Sequence, residues 1–191
     1  MIFEIVFERG TPASALRDAL VRRFGIPAER VFIGSKDTLD RRLREGMEFP
    51  IAVIGAEPRS GEFGLSFESH DQLLEAVGGL GAVALATTLC KAVGARALVG
   101  DGGYVSDCFT LVTPDGWHGR VMLTDEVLDE PVFNLEYALQ PVPSDPSLRV
   151  VDEPCQEGWY PDGRVPETGY AFPEDEPRPP SQDASDPGPG L

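Results

Sequence analysis

From Leu80 to Val93 apolar side chains fall on almost every side of a helical projection. Leu80, Val83, Leu85, Ala86, Leu89, Cys90 and Val93 leave only Thr87, Thr88 and Lys91 as a polar strip. A helix without a broad polar face is one that a fold buries, and this run is shorter than the roughly 20 apolar residues of a membrane span. The pattern predicts a central core helix whose alanines and Gly81 let a sheet or a second helix approach closely. Gly94 stands where a left-handed C-terminal glycine belongs. Upstream, Ser69-His70-Asp71-Gln72 has capping-box spacing, and Leu73, Leu74 and Val77 continue at helical intervals. Gly78-Gly79 then either kinks one long helix over about 70–93 or divides it in two.

Alternation, the signature of a half-buried strand, marks other stretches. Ile2 to Glu8 places Phe3, Ile5 and Phe7 on one side and Ile2, Glu4, Val6 and Glu8 on the other. Thr11-Pro12 reads as N-cap and first helical residue, with Leu16, Ala19, Leu20 and Phe24 as the apolar stripe and Gly25-Ile26-Pro27 as the stop. Short strands are expected at 30–34, 50–56, 63–68 and 96–99, and a second helix, capped by Asp37, from there to Glu45. Asp107–Thr113 and Trp117–Leu123 flank Pro114-Asp115-Gly116, a turn in which Pro presets φ and Gly supplies φ > 0. In that hairpin, Phe109 and Leu111 share a face of one arm, and Trp117, Val121 and Leu123 share a face of the other. Val132–Leu139 reads as an edge strand.

Helices alternating with strands, followed by strands that meander, indicate an α+β fold with a mixed or antiparallel sheet. The expected parts are two N-terminal helices, one buried central helix and the hairpin 107–123. Residues 1–140 are expected to form one globular domain. From Pro141 onward the composition changes: 12 of the 18 prolines lie in the last 51 residues, too little apolar surface to fold alone. Residues 141–172 are expected to be extended and partly docked, and 173–191 to be a disordered acidic tail rich in Pro and Gly.

Charge narrows the function classes. The net charge is −16. Residues 1–150 hold 22 acidic and 14 basic side chains and residues 151–191 hold 10 and 2, so each part contributes −8. Such a surface repels nucleic acid and anionic lipid and suits a basic partner. The start of the chain lacks the basic, apolar pattern of a signal peptide. Its three cysteines, Cys90, Cys108 and Cys155, form neither a zinc pattern nor a disulfide pattern. A reduced cytoplasmic setting is the default. Arg outnumbers Lys 14 to 2, a bias of GC-rich, typically bacterial, coding.

Each candidate for chemistry has a plainer structural reading. Gly79-Leu80-Gly81-Ala82-Val83-Ala84 matches G-x-G-x-x-A, but a dinucleotide fingerprint must follow a strand, and this one follows a capped helix. No cofactor is therefore expected. Nine of the 16 basic residues lie between Arg9 and Arg44. Asp37–Arg41 and Asp40–Arg44, at i,i+4, give them the look of a solvated helix face. A site there for an acidic segment, the chain's own tail included, fits better than nucleic acid. His70 and His118 belong to no metal-binding spacing, Cys90 and Cys108 sit in core-like runs, and no catalytic residue is assigned. Gly100-Asp101-Gly102-Gly103-Tyr104 is a candidate ligand loop, since Gly-rich loops can turn amides toward an anion. In the tail, Trp159, Tyr160 and Phe172, with Glu174, Asp175 and Glu176, combine aromatic anchors with acid, a pattern suited to partner recognition.

The leading expectation is a non-enzymatic acidic protein-interaction module. An immunity- or antitoxin-type inhibitor of a basic protein has this profile. One alternative is a small-ligand or enzymatic domain with its site between the Gly100–Tyr104 loop and the start of the central helix. Another is a homo-oligomer joined through an edge strand.

Overall fold

A computed structural model describes residues 3–55, 61–100, 108–124 and 133–151. Its elements are β1 (Glu4–Glu8), α1 (Ala13–Phe24), a 3₁₀ turn (Ala28–Arg30), β2 (Val31–Gly34), α2 (Lys36–Arg44), β3 (Ala52–Gly55), β4 (Phe63–Ser69), α3 (Asp71–Ala76), α4 (Ala82–Val93), β5 (Ala97–Gly100), β6 (Cys108–Val112), β7 (His118–Leu123) and β8 (Leu135–Ala138). The strands form one mixed sheet in the order β2-β3-β4-β1-β5-β6-β7-β8. Among these named strands, β2 and β3 pair in parallel and the other neighbours pair antiparallel. The fold is α+β, as the sequence pattern indicates.

Two apolar clusters hold the sheet, one on each face. Ile5 and Phe7 of β1, Phe67 of β4 and Ala97 and Val99 of β5 meet Leu16, Ala19 and Leu20 of α1, Leu73 of α3 and Leu85, Ala86, Leu89 and Cys90 of α4. Val6 and Leu98, one residue out of phase, point the other way and join Phe63, Leu111, Val121, Leu123, Phe133, Ala138 and Val142. β1 is thus buried on both sides, which is why its apolar residues run consecutively through Ile5-Val6-Phe7.

A bulge lets β4 serve both clusters. Phe7 faces Leu65, but Glu8 faces Phe63, so β4 carries an extra residue between them. A one-residue slip moves a side chain to the opposite face. Leu65 and Phe67 therefore pack under the helices, while Phe63 enters the second cluster.

The second cluster is enclosed because the sheet curls. β4 and β8 stand far apart in the strand order, yet Phe133, just before β8, bridges to Gly61 and Phe63 at the start of β4. The Phe63 amide donates to the Phe133 carbonyl (3.1 Å), and the Glu62 amide donates to Asn134 Oδ1 (2.9 Å). Strands β4, β1, β5, β6, β7 and β8 thereby close into a small partial barrel. Residues 141–151 belong to the same body. Val142 is buried, and the Ala138 amide donates to the Arg149 carbonyl while the Val151 amide donates to that of Ala138. The outer edge of β8 is therefore covered.

Arg96 ties these parts together where β1 ends and β5 begins. Its Nε and Nη2 donate to Glu8 Oε1 (2.9 and 2.6 Å). Nη2 also lies 3.5 Å from Glu62 Oε2, and Nη1 lies 3.4 Å from Asp145 Oδ2. The guanidinium sits 5.5 Å from the centre of the Phe63 ring. One side chain thus joins β1, the start of β4, β5 and the C-terminal turn.

The capping chemistry differs from the expected pattern at several helix starts. Thr11 does not cap α1: its hydroxyl donates to the Glu8 carbonyl (2.7 Å), closing the turn out of β1. α2 is capped by Ser35, whose Oγ accepts from the Thr38 amide (3.3 Å), not by Asp37, which lies in the first turn. Ser69 and Gln72 form no capping box. Ser69 is the last residue of β4, paired with Ala52, so the cap position passes to His70, and Gln72 instead accepts from Arg30 (2.7 Å). The stretch 70–93 is two helices, with Gly78 (φ 70°) and Gly79 (φ 78°) both left-handed at the break. Gly25 and Gly94 close α1 and α4 in the left-handed conformation, as their positions suggest.

Removing the Arg96 hub should cost more than an ordinary surface pair, because it leaves three carboxylates facing one another. Arg96→Ala is expected to lower unfolding free energy by about 2 kcal/mol, read from urea denaturation, with the deficit shrinking at 1 M salt. A change below 0.5 kcal/mol would show that the hub contributes little.

Candidate functional site

The helices do not cover the whole of their face of the sheet. α4 packs over β5 and β6, and beyond them the sheet continues into β7 with no helix above it among the described residues. An open groove of about 770 Å³ runs along that step. Gly81, Ala82, Val83, Ala84 and Thr87 of the start of α4 form one wall, Val99, Gly100 and Thr110 the floor, and Gly116 and His118 the far side. The wall is low because α4 opens on small residues, and the same glycines and alanines that let it approach the sheet leave room above it. The hairpin turn bounds the groove. Gly116 has φ 92°, and Lys91 lies directly above it, where a Cβ would meet Lys91 Cε and Nζ at 2.8 Å.

The groove is predominantly apolar. At its helical end the first amides of α4 have no side-chain cap and no acidic neighbour in the first turn. Thr87 spends its hydroxyl on the Val83 carbonyl (2.8 Å). His118, exposed on β7, contributes the imidazole of the lining. Such a site suits an apolar or weakly polar group and offers a rim for one polar contact.

The remaining chemical candidates resolve into structure. Cys90 lies on the buried face of α4, with its Sγ 3.8 Å from the Val112 carbonyl, and burial, assisted by the charge of Glu8, pushes its thiol pKa up to about 12. Cys108 is buried as well. Asp115 is held below the usual carboxylate range, first by the Thr113 hydroxyl and then by the Trp117 amide, which makes it a turn brace. His70 packs edge-on against Phe49 with ring centres 4.5 Å apart, far in the sheet order from His118. Among the described residues no three His, Cys, Asp or Glu side chains are grouped as a metal ion needs. No helix among them is long and apolar enough to cross a membrane. The G-x-G-x-x-A run opens α4 after a helix, outside the strand-turn-helix setting that a dinucleotide site needs.

Of the expected ligand loop, Gly100 lies on the groove floor, while Asp101, Gly102, Gly103 and Tyr104 lie outside the described residues. So do Trp159, Tyr160, Phe172, Glu174, Asp175 and Glu176. Comparison with protein-family models, with curated proteins and with solved structures found no match.

Two features depend on strand order. Locally Arg96 marks only the start of a strand, because its three carboxylate partners come from distant segments. The basic last turns of α1 and α2, Arg22-Arg23 and Arg41-Arg42-Arg44, lie toward one end of the sheet. β2 and β3 are parallel and start at the same end of the sheet. α1 runs into the start of β2 and α2 into the start of β3, so Arg22, Arg23, Arg41, Arg42 and Arg44 gather at that end. The chain steps outward from β1 to β2 and inward from β2 to β3, so right-handed crossovers place α1 and α2 on opposite faces. The expected Asp37–Arg41 and Asp40–Arg44 pairs do not close. Arg44 Nε donates instead to the Asp40 backbone carbonyl (3.1 Å).

The buried thiol generates a pH prediction. The native fold holds Cys90 protonated, and unfolding lowers its pKa to 9.0. Its contribution to stability is therefore complete below pH 9 and is lost between pH 9 and about 12. Cys90→Ala should show a shallower alkaline loss of stability than the wild type. In a Cys155→Ser background, native protein at pH 8 should leave Cys90 and Cys108 unmodified by a thiol reagent over the time in which unfolded protein reacts fully. Rapid native reaction of either cysteine would contradict their burial.

Proposed function

We propose that the protein is an acidic interaction module that binds a basic partner protein. The observation that carries this reading is the uneven distribution of charge along the chain. Residues 9–44, which contain α1, β2 and α2, hold nine basic and four acidic side chains, +5, whereas the rest of the chain holds seven basic and 28 acidic, −21. Of those, four basic and 11 acidic side chains belong to described residues, −7, so the acidic excess outside 9–44 holds there too. An acidic surface of this size steers a basic protein into contact and favours one orientation. Inhibition of that partner, in the manner of an immunity protein or antitoxin, is the specific role that fits an acidic binder of this size.

A second reading has support from the groove between α4 and β5–β7. It lies beside Gly100 and the start of the central helix, where the sequence suggested a small-ligand site, and its apolar walls suit a small apolar molecule.

Capture of partners from native host extract onto the full chain, with salt raised from 50 to 500 mM, discriminates the two. The proposal expects one stoichiometric basic protein that is released by salt and reconstitutes a complex when purified. No stoichiometric partner at low salt would sink it. Thermal-shift screening of small molecules against the wild type and Ala84→Trp then addresses the groove: a ligand that stabilises the former and not the latter binds there.

A further inference from the structure

The arginine-rich end of α1 and α2 lacks carboxylate partners. Arg22, Arg23, Arg41 and Arg42 are exposed and pair with no acidic side chain among the described residues, and Arg44 reaches only a backbone carbonyl. Cations in the last turns partly answer the helix dipoles. That explains a preference for basic residues there, but not the convergence of two helices' worth of them on the two faces of one sheet end. Glu29 and Glu45 share this end and reduce its charge without cancelling it. Glu48 is taken by Arg30 Nη1 at 2.5 Å.

We propose that this end docks the chain's own acidic C-terminal segment around Glu174-Asp175-Glu176. The three carboxylates are consecutive and flanked by Pro173 and Pro177. Arginine is the side chain best suited to receive them, since its planar fork pairs carboxylates bidentately. Reach is sufficient. The chain leaves the described structure at Val151, beside β8. Even laid flat, eight strands spaced at about 4.8 Å would separate the two edges by only roughly 34 Å, a distance that the curl shortens, and the 23 residues to Glu174 extend to about 76 Å. Tethering raises the effective concentration of the segment to the millimolar range, which favours it over a free acidic peptide. A basic partner would compete with the arginines for the same carboxylates, so docking regulates when the tail is available. The docking itself stands whether or not such a partner exists.

The test uses the full chain, ¹⁵N-labelled, in a Cys155→Ser background, with a nitroxide on the thiol introduced by Ser181→Cys; Cys90 and Cys108 are buried. At 20 mM salt the amides at the ends of α1 and α2 should lose more than half their intensity to paramagnetic broadening, and they should recover it above 500 mM. Glu174→Gln/Asp175→Asn/Glu176→Gln in the full chain should abolish the broadening, as should Arg41→Glu/Arg42→Glu, both exposed positions. A mixture of ¹⁵N chains without nitroxide and unlabelled chains with it should show none. Broadening that is absent from these helix ends, insensitive to salt or retained in the acidic-triad variant overturns the proposal. So does broadening in the mixed sample, which would place the contact between copies.

Discussion

The structure depends on burying both faces of β1. Ile5 and Phe7 must be covered from one side and Val6 from the other, and no single layer can do both. The helices satisfy the first demand. The second is met only because β4 bulges opposite Phe7 and Glu8, turns Phe63 to the reverse face and accepts the bridge from Phe133 that curls the sheet shut. Closure of this kind trades an exposed apolar face for a small enclosed core and removes one edge in doing so. Arg96 sits at the seam, where its carboxylate partners come from each segment that the closure brings together.

The same closure explains the groove. Once β7 and β8 turn away to enclose the second cluster, they leave the shelter of α4. The uncovered step between helix and sheet is a geometric by-product of curvature, lined by the small residues that allowed α4 to pack closely. Among the described residues, Cys90 and Cys108 are committed to packing and Asp115 to its turn.

Much of this was legible in the sequence. Periodicity located the helices, the hairpin and the apolar strands. Gly25 and Gly94 marked true helix ends, because a left-handed residue is a local requirement written in one letter. The hairpin faces, Phe109 and Leu111 against Trp117, Val121 and Leu123, followed from alternation alone and recur together in the second cluster. The caps were less legible. Thr11 and Ser69 have the right side chains in the right order, but tertiary pairing claimed them first: Thr11 closes a turn onto Glu8, and Ser69 is pulled into β4 by Ala52, leaving its hydroxyl buried without a partner. The Arg96 hub and the convergence of the α1 and α2 arginines could not be read locally, since both depend on strand order. The groove was half-legible, in the small residues opening α4 and in Gly100, but its depth comes from sheet curvature, which no local pattern encodes.

The two edges of the sheet are unlike each other. β8 is stoppered by residues 149–151 of its own chain, whereas no further strand among the described residues lies beyond β2. Among the described residues, growth by strand addition can therefore proceed from one side only, and two copies meeting through β2 would cover that edge in each. Where two β2 strands pair in parallel, their arginine-rich ends meet, and salt, which weakens most charged associations, should there ease self-association.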